Sequence, residues 1–194
     1  MNTFAYPQAD KPFKPQILSS ISILVNLWDH SLKGGLNPRP GSYMLLQDYF
    51  FIRRLIPDDP DQGTFTMRRR YRFTIFRTDH ITIERKYDWP SYGLFIEDTQ
   101  TRESVFYSGD TRFDYPAYAS MMEAAKLCFH DVQLLDQPNA IHATISEVRT
   151  LPDEIKKRTH LYHYGDNWDA GPFDFVNEEF AGFAPPQERI RLFD

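Results

Sequence analysis

Three short motifs carry the residue types that metal or acid–base chemistry needs. Tyr107-Ser108-Gly109-Asp110-Thr111 directly follows an apolar run. Gly109 lets the backbone turn sharply there, so the Asp110 carboxylate stands at a strand end, well placed to ligate a divalent metal. Phe129-His130-Asp131 closes the next apolar run, and Leu161-Tyr162-His163-Tyr164-Gly165 puts an imidazole at the end of a third. Between them, His142-Ala143-Thr144 opens a segment of helical character. Alone, each motif also reads as a plain turn or a packed histidine. Taken together they weigh differently, because all sit at strand ends of one α/β unit, where ligand sites gather. Four of the six histidines (His130, His142, His160 and His163) fall within residues 130–163, which adds acid–base chemistry to the possibilities.

The elements that must hold these motifs follow from hydrophobic periodicity. In TFTMRRRYRFTIFRT, Tyr71, Phe73 and Ile75 alternate against Arg70, Arg72 and Thr74, a period-2 strand that HITIERKYDW continues. Arg68 to Arg70 read as the solvated face of that strand rather than a phosphate-binding patch. SYGLFIEDTQTRESVFYSGDT is a hairpin with its polar turn at EDTQTRES. Beyond it, Tyr115 to Ala125 reads as a helix and KLCFHDVQL as a buried strand. LPDEIKKR is helical and THLYHYG is a strand again, the alternation of a layered α/β domain. The Pro-rich, aromatic tail reads as a closing strand or arm.

Upstream the signals are mixed. Residues 1–16 form an expected extended arm, broken by Pro7, Pro12 and Pro15, and residues 17–194 an expected single domain. Ile17 to Trp28 fits a buried strand or a short helix, and Gly34 to Ser42 a loop. Met44 to Ile56 begins as a helical turn and runs into a strand, and Pro57 to Gly63 is a turn cluster.

Composition removes several classes. The chain has 194 residues, 41% hydrophobic and 25% charged, enough for a sizeable core and unlike a disordered chain. Mean hydropathy is -0.54 and no apolar run approaches the roughly 20 residues of a membrane span. The single cysteine, Cys128, excludes an internal disulfide framework and a cysteine-based zinc cluster. A net charge of -5 gives no global attraction to duplex nucleic acid or anionic lipid. The expected location is cytoplasmic. Aromatic residues reach 15%, which favours strands over a helical bundle.

YSGDT, LCFHD, HAT and LYHYG, in this order, resemble the metallo-β-lactamase superfamily, in particular its phosphodiesterase and tRNA 3′-end-processing nuclease branches. The match covers roughly residues 91–165. The resemblance implies a four-layer αββα sandwich with a one- or two-metal site, usually zinc, between its sheets. It implies Asp110 as a carboxylate bridging two metals and His163 as a ligand of the second. His142 is then the residue that protonates a leaving alkoxide or steadies a phosphate, and His80, ahead of the Ser-Tyr-Gly strand, the candidate for one further ligand. His130 becomes structural, and His160, an odd number of residues from His163 on one strand, faces away from the site.

The superfamily's principal ligand motif, His-x-His-x-Asp-His, occurs nowhere in the sequence, and Asp29-His30 reads as part of the region that normally follows it. A hydrolytic zinc centre needs about three protein ligands and an open position for water. Two functions are therefore expected from the same residues. The first is a zinc- or manganese-dependent hydrolase of a phosphodiester or related ester, the C-terminal portion of the fold, completed by an upstream segment or a complementary chain. The second is a non-catalytic binding or assembly module that kept the fold and lost the centre, with a homodimer expected because a truncated sandwich leaves sheet edges open.

Overall fold

Period-2 alternation through Tyr71, Phe73 and Ile75 produces one long strand, and the rest of the second half of the chain is assembled around it. The computed structural model describes residues 14–193, apart from 20, 37, 40, 55, 60, 61, 84–86, 138, 139 and 170. Most of the arm expected at residues 1–16 lies outside the described residues. The chain divides into two compact units, Met1–Pro60 and Asp61–Asp194.

In the first unit, β1 (Gln16–Ser19) runs into α1 (Ile21–Leu27), so the ambiguous apolar segment is a strand followed by a helix. The helix passes through a wider turn at Trp28–Leu32 into α2 (Lys33–Leu36). Gly34 and Gly35 are thus helical, where their composition suggests a loop. Continuation of a formed helix, with Asp29 and Lys33 paired at 3.1 Å, overrides their low propensity. A short hairpin, β2 (Pro38–Arg39) and β3 (Ser42–Tyr43), follows. The expected turn-then-strand comes next, as α3 (Leu46–Tyr49) and β4 (Phe51–Arg54). β4 pairs parallel to β1, and Leu24, Trp28, Leu46 and Tyr49 bury a small core. Pro57 to Asp59 belong to β5 (Ile56–Asp59) rather than to a turn.

The second unit holds the motifs. Its strands are β6 (Gln62–Met67), β7 (Tyr71–Ile83), β8 (Tyr87–Asp98), β9 (Ser104–Tyr107), β10 (Leu127–Asp131), β11 (Thr159–Tyr162) and β12 (Gly182–Phe183). They lie side by side in chain order, antiparallel from β6 to β9 and parallel from β9 to β12. The helices are α4 (Tyr115–Ala124), α5 (Ile145–Val148), α6 (Asp153–Lys156) and α7 (Phe175–Glu179). The fold class is mixed α/β, as the alternation indicates.

The arginine run caps the β6–β7 hairpin instead of lining a strand. Arg68 and Arg69 both take positive φ, at the two central positions of the turn that the Arg70 N–H closes onto the Met67 carbonyl at 3.1 Å. Arg70 then pairs with Asp98, whose residue is fully buried, and the guanidinium holds that carboxyl down at about 2. α4 buries Tyr118 and Met122 in one core with Phe106, Cys128 and Leu161. Each such side chain stabilises the fold by roughly 1.5–3 kcal/mol. No helix among the described residues is long and apolar enough to cross a membrane.

Candidate active site

Strand register determines which motifs can meet. Phe129 of β10 pairs with Tyr107 of β9, and Asp131 pairs with Tyr162 of β11. Three parallel strands therefore end at one level, and the residues that leave them, Gly109-Asp110, Asp131 and His163, emerge side by side. This is the carboxyl edge of the parallel half of the sheet, where the backbone ends are free to accept a ligand.

Asp131 is the centre of the group. Its residue is 0% exposed, and Oδ2 accepts the Thr111 N–H at 2.8 Å and His142 Nδ1–H at 2.7 Å. Oδ1 lies 3.2 Å from His163 Nδ1, which is also 3.4 Å from Asp110 Oδ1. Asp131, His142 and His163 bring one ligand atom each within 4.8 Å of one another. The rings of His142 and His163 meet edge to face at 4.5 Å, and His80 lies against the other side of His142 at 5.0 Å. The candidates thus follow one another as neighbours, His80 beside His142, His142 beside His163 and His163 beside Asp110.

Each approach has a local cause. The ladder between β7 and β8 shifts register between Thr78 and Ile81, a bulge that falls on Asp79 and His80 and re-aims them. The Asp79 carbonyl there accepts the Arg112 N–H at 2.7 Å and the Thr111 hydroxyl at 3.0 Å, pinning the loop after Asp110 to β7. Gly109 has φ +68 and passes so close to Tyr92 that a Cβ would stand 2.2 Å from the Tyr92 carbonyl oxygen. Ser108 and Tyr162 both donate hydroxyl hydrogens to the Gly109 carbonyl, at 2.8 and 2.6 Å.

His163 directly follows β11 with φ +65, a left-handed conformation uncommon for residues with a side chain. His142 is held from behind. The Ala143 N–H donates to the Thr111 carbonyl at 2.8 Å, and Thr144 with Glu147 forms the capping box that starts α5. The sequence signature of that box is Thr-Ile-Ser-Glu, beginning directly after Ala143.

His130 points the other way, into the core. Tyr118 donates its hydroxyl to Nε2 at 2.8 Å, and Nδ1–H donates to the Asp131 carbonyl at 2.7 Å. Burial lowers the His130 pKa and raises that of Tyr118, so both stay neutral and steady the backbone of Asp131. His160 stacks on Phe129 at 5.6 Å. Sequence reasoning singles out Phe129-His130-Asp131 but gives Asp131 no role. The missed signal is positional: the carboxylate ends a buried strand that must run parallel beside Tyr107-Ser108-Gly109.

The donor set fits a divalent cation. His80 Nδ1–H donates to the Ile141 carbonyl at 3.0 Å, which leaves its Nε2 lone pair available, the pattern of a metal-binding imidazole, and His142 Nδ1–H donates to Asp131, which leaves its Nε2 open to the cleft. Asp110 and Asp131 both face one nitrogen of His163, at 3.4 and 3.2 Å. Asp131, His142 and His163 are the described residues whose ligand atoms lie close enough together to share one ion, with Asp110 beside His163 and His80 beside His142.

The family model described as Anti-Pycsar protein Apyc1 matches residues 2–190. The Anti-Pycsar protein Apyc1 of Paenibacillus harenae is 31% identical over 157 residues, 80% of this chain and 58% of that one. The protein of that name from Bacillus phage vB_BsuM-Goe3 is 32% identical over 145 residues, 73% of this chain and 53% of that one. The chain thus spans less than two thirds of the length of these relatives. Among solved structures, the metallo-β-lactamase fold protein YhfI from Bacillus subtilis superposes with TM-score 0.56 at 17% identity, over 93% of this chain and 65% of that one. Unliganded yeast PDE1 superposes with TM-score 0.60 at 14% identity, over 91% of this chain and 56% of that one. The fold is that of the metallo-β-lactamases.

Proposed function

The chain belongs to the Anti-Pycsar protein Apyc1 family, and on that premise we propose that it is a metal-dependent phosphodiester hydrolase. The observation that carries the reading is the buried Asp131 carboxylate bonded to His142 at 2.7 Å, beside a carboxylate–imidazole pair at 3.4 Å. Asp110 and His163, with His80 as the third candidate, would hold a zinc or manganese ion beside the cluster of Asp131, His142 and His163, whose ligand atoms lie within 4.8 Å of one another. When bound, such an ion lowers the pKa of a water from 15.7 toward about 7 and draws charge from a phosphoryl oxygen.

The chain's own groups do the rest. With Nδ1–H fixed on Asp131, His142 presents Nε2 to the cleft, and a proton held there passes to the leaving alkoxide as its bond to phosphorus breaks. Asp131, oriented by the Thr111 N–H, steadies the imidazolium before that transfer. The cavity beside His142, about 310 Å³, suits a small phosphodiester rather than a long nucleic acid. Because His-x-His-x-Asp-His is absent, a second polypeptide or segment carrying such a motif completes the ligand set in this reading. That absence also supports the second reading, a binding or assembly module without catalysis.

The test is hydrolysis of bis(p-nitrophenyl) phosphate by the full chain with zinc or manganese, alone and with an added polypeptide bearing the motif. Release of p-nitrophenolate that a chelator abolishes and that Asp110→Ala removes is the expected result. Hydrolysis indifferent to Asp110→Ala removes the reading, and no hydrolysis under either condition leaves the binding module.

A further inference from the structure

We propose that Arg112 is the substrate-anion anchor of this site, its guanidinium holding the non-bridging oxygens of a phosphodiester beside His142. The inference rests on the phosphodiester reading and names the residue that recognises the substrate's charge. Arg112 and His142 line the same cavity, together with Asp79, Phe113, Asp114 and Glu147. Arg112 is the one permanently charged cation among the described residues lining it. A phosphodiester monoanion entering past Asp79, Asp114 and Glu147 meets repulsion unless a fixed positive charge stands at the reacting end.

The side chain has unspent hydrogen-bonding capacity. Its Nε is buried and makes no hydrogen bond among the described residues. It forms an ion pair with Asp79 at 3.8 Å, too long for a hydrogen bond, so its N–H groups stay open to one. A buried N–H left unpaired costs on the order of 1–3 kcal/mol, which a ligand oxygen brought to that edge of the guanidinium would recover. A guanidinium offers two parallel N–H groups from one edge, matched to two oxygens of a phosphoryl group.

The backbone makes this anchor rigid. The Arg112 N–H is bonded to the Asp79 carbonyl at 2.7 Å, and the neighbouring Thr111 N–H to Asp131 at 2.8 Å. Arg112 is therefore carried on the same pinned loop as Asp110 and needs little reordering when an anion binds.

The experiment compares the wild-type chain with Arg112→Gln and Arg112→Lys in two assays. Inorganic phosphate binding is followed by calorimetry on the chelator-treated chain, and KM and kcat are measured with bis(p-nitrophenyl) phosphate under the metal conditions above. Arg112→Gln is expected to weaken phosphate binding and raise KM by roughly 10- to 100-fold, with kcat changing less. Arg112→Lys, which keeps the charge and loses the fork, should recover only part of the binding. Phosphate binding that depends on Arg112 in a chain that hydrolyses nothing supports the anchor and removes the hydrolase. Unchanged phosphate affinity in Arg112→Gln, full recovery by Arg112→Lys, or a wild type that binds no phosphate overturns the anchor. If Arg112→Gln does not fold, the lysine variant alone decides.

Discussion

Replacement of His142 by alanine is expected to lower kcat for hydrolysis of a phosphodiester with an alkoxide leaving group by roughly 10²- to 10⁴-fold while KM moves little. The argument is positional. Asp131 is fully buried and takes the Nδ1–H of His142, which leaves Nε2 as the one imidazole atom able to serve a leaving group. A proton donor matters more as the leaving group becomes more basic. The loss in His142→Ala should therefore be small for p-nitrophenolate and grow along a series of aryl and alkyl leaving groups. A uniform loss across the series assigns His142 to ion binding or to structure instead. Asp131→Asn should show the same dependence, because a neutral amide no longer stabilises the imidazolium.

Gly109→Ala is expected to destabilise the second unit by about 3 kcal/mol, which for a chain of this size lowers the melting temperature by roughly 10 °C. Two costs add. Alanine at φ +68 sits in the left-handed region, and its Cβ would stand 2.2 Å from a backbone oxygen of β8 that has no rotamer to escape into. Relief must come from movement of the Ser108-Gly109-Asp110 turn, which carries Asp110 away from His163. Activity should fall with stability, and metal affinity with both. A melting temperature within about 2 °C of wild type, roughly the effect of half a kcal/mol, would show that the turn tolerates a side chain and is not closely packed.

Much of this site is legible in the sequence, for identifiable reasons. Alternation in Tyr71 to Ile75 and the polar turn at EDTQTRES are local signals, and β7, β8 and β9 follow them. Asp110 and His163 stand out because each leaves a short apolar strand close to a glycine. Asp131 escapes because His130 and Asp131 are neighbours on one strand, and only the register to β9 and β11 decides which of them faces the site. His80 reaches His142 through a bulge, and a bulge leaves no pattern in a single sequence. Arg112 reads as one more charged loop residue until the cavity beside it is seen.

The first sixty residues show the opposite balance. Gly34 and Gly35 are poor helix formers, yet they continue a helix already begun at Ile21. Pro57 to Asp59 carry turn residues and lie in a strand. Local propensity gives way there to pairing and continuation, which depend on neighbours that composition does not reveal.

Zinc titration of the full chain by calorimetry, beside the Asp110→Ala/His163→Ala double variant with its fold checked by circular dichroism, addresses the metal centre most directly. The account predicts zinc uptake by wild type and an affinity at least about tenfold weaker in the folded double variant. Equal affinity in the two proteins, or no uptake by wild type with or without the complementary motif, would contradict it.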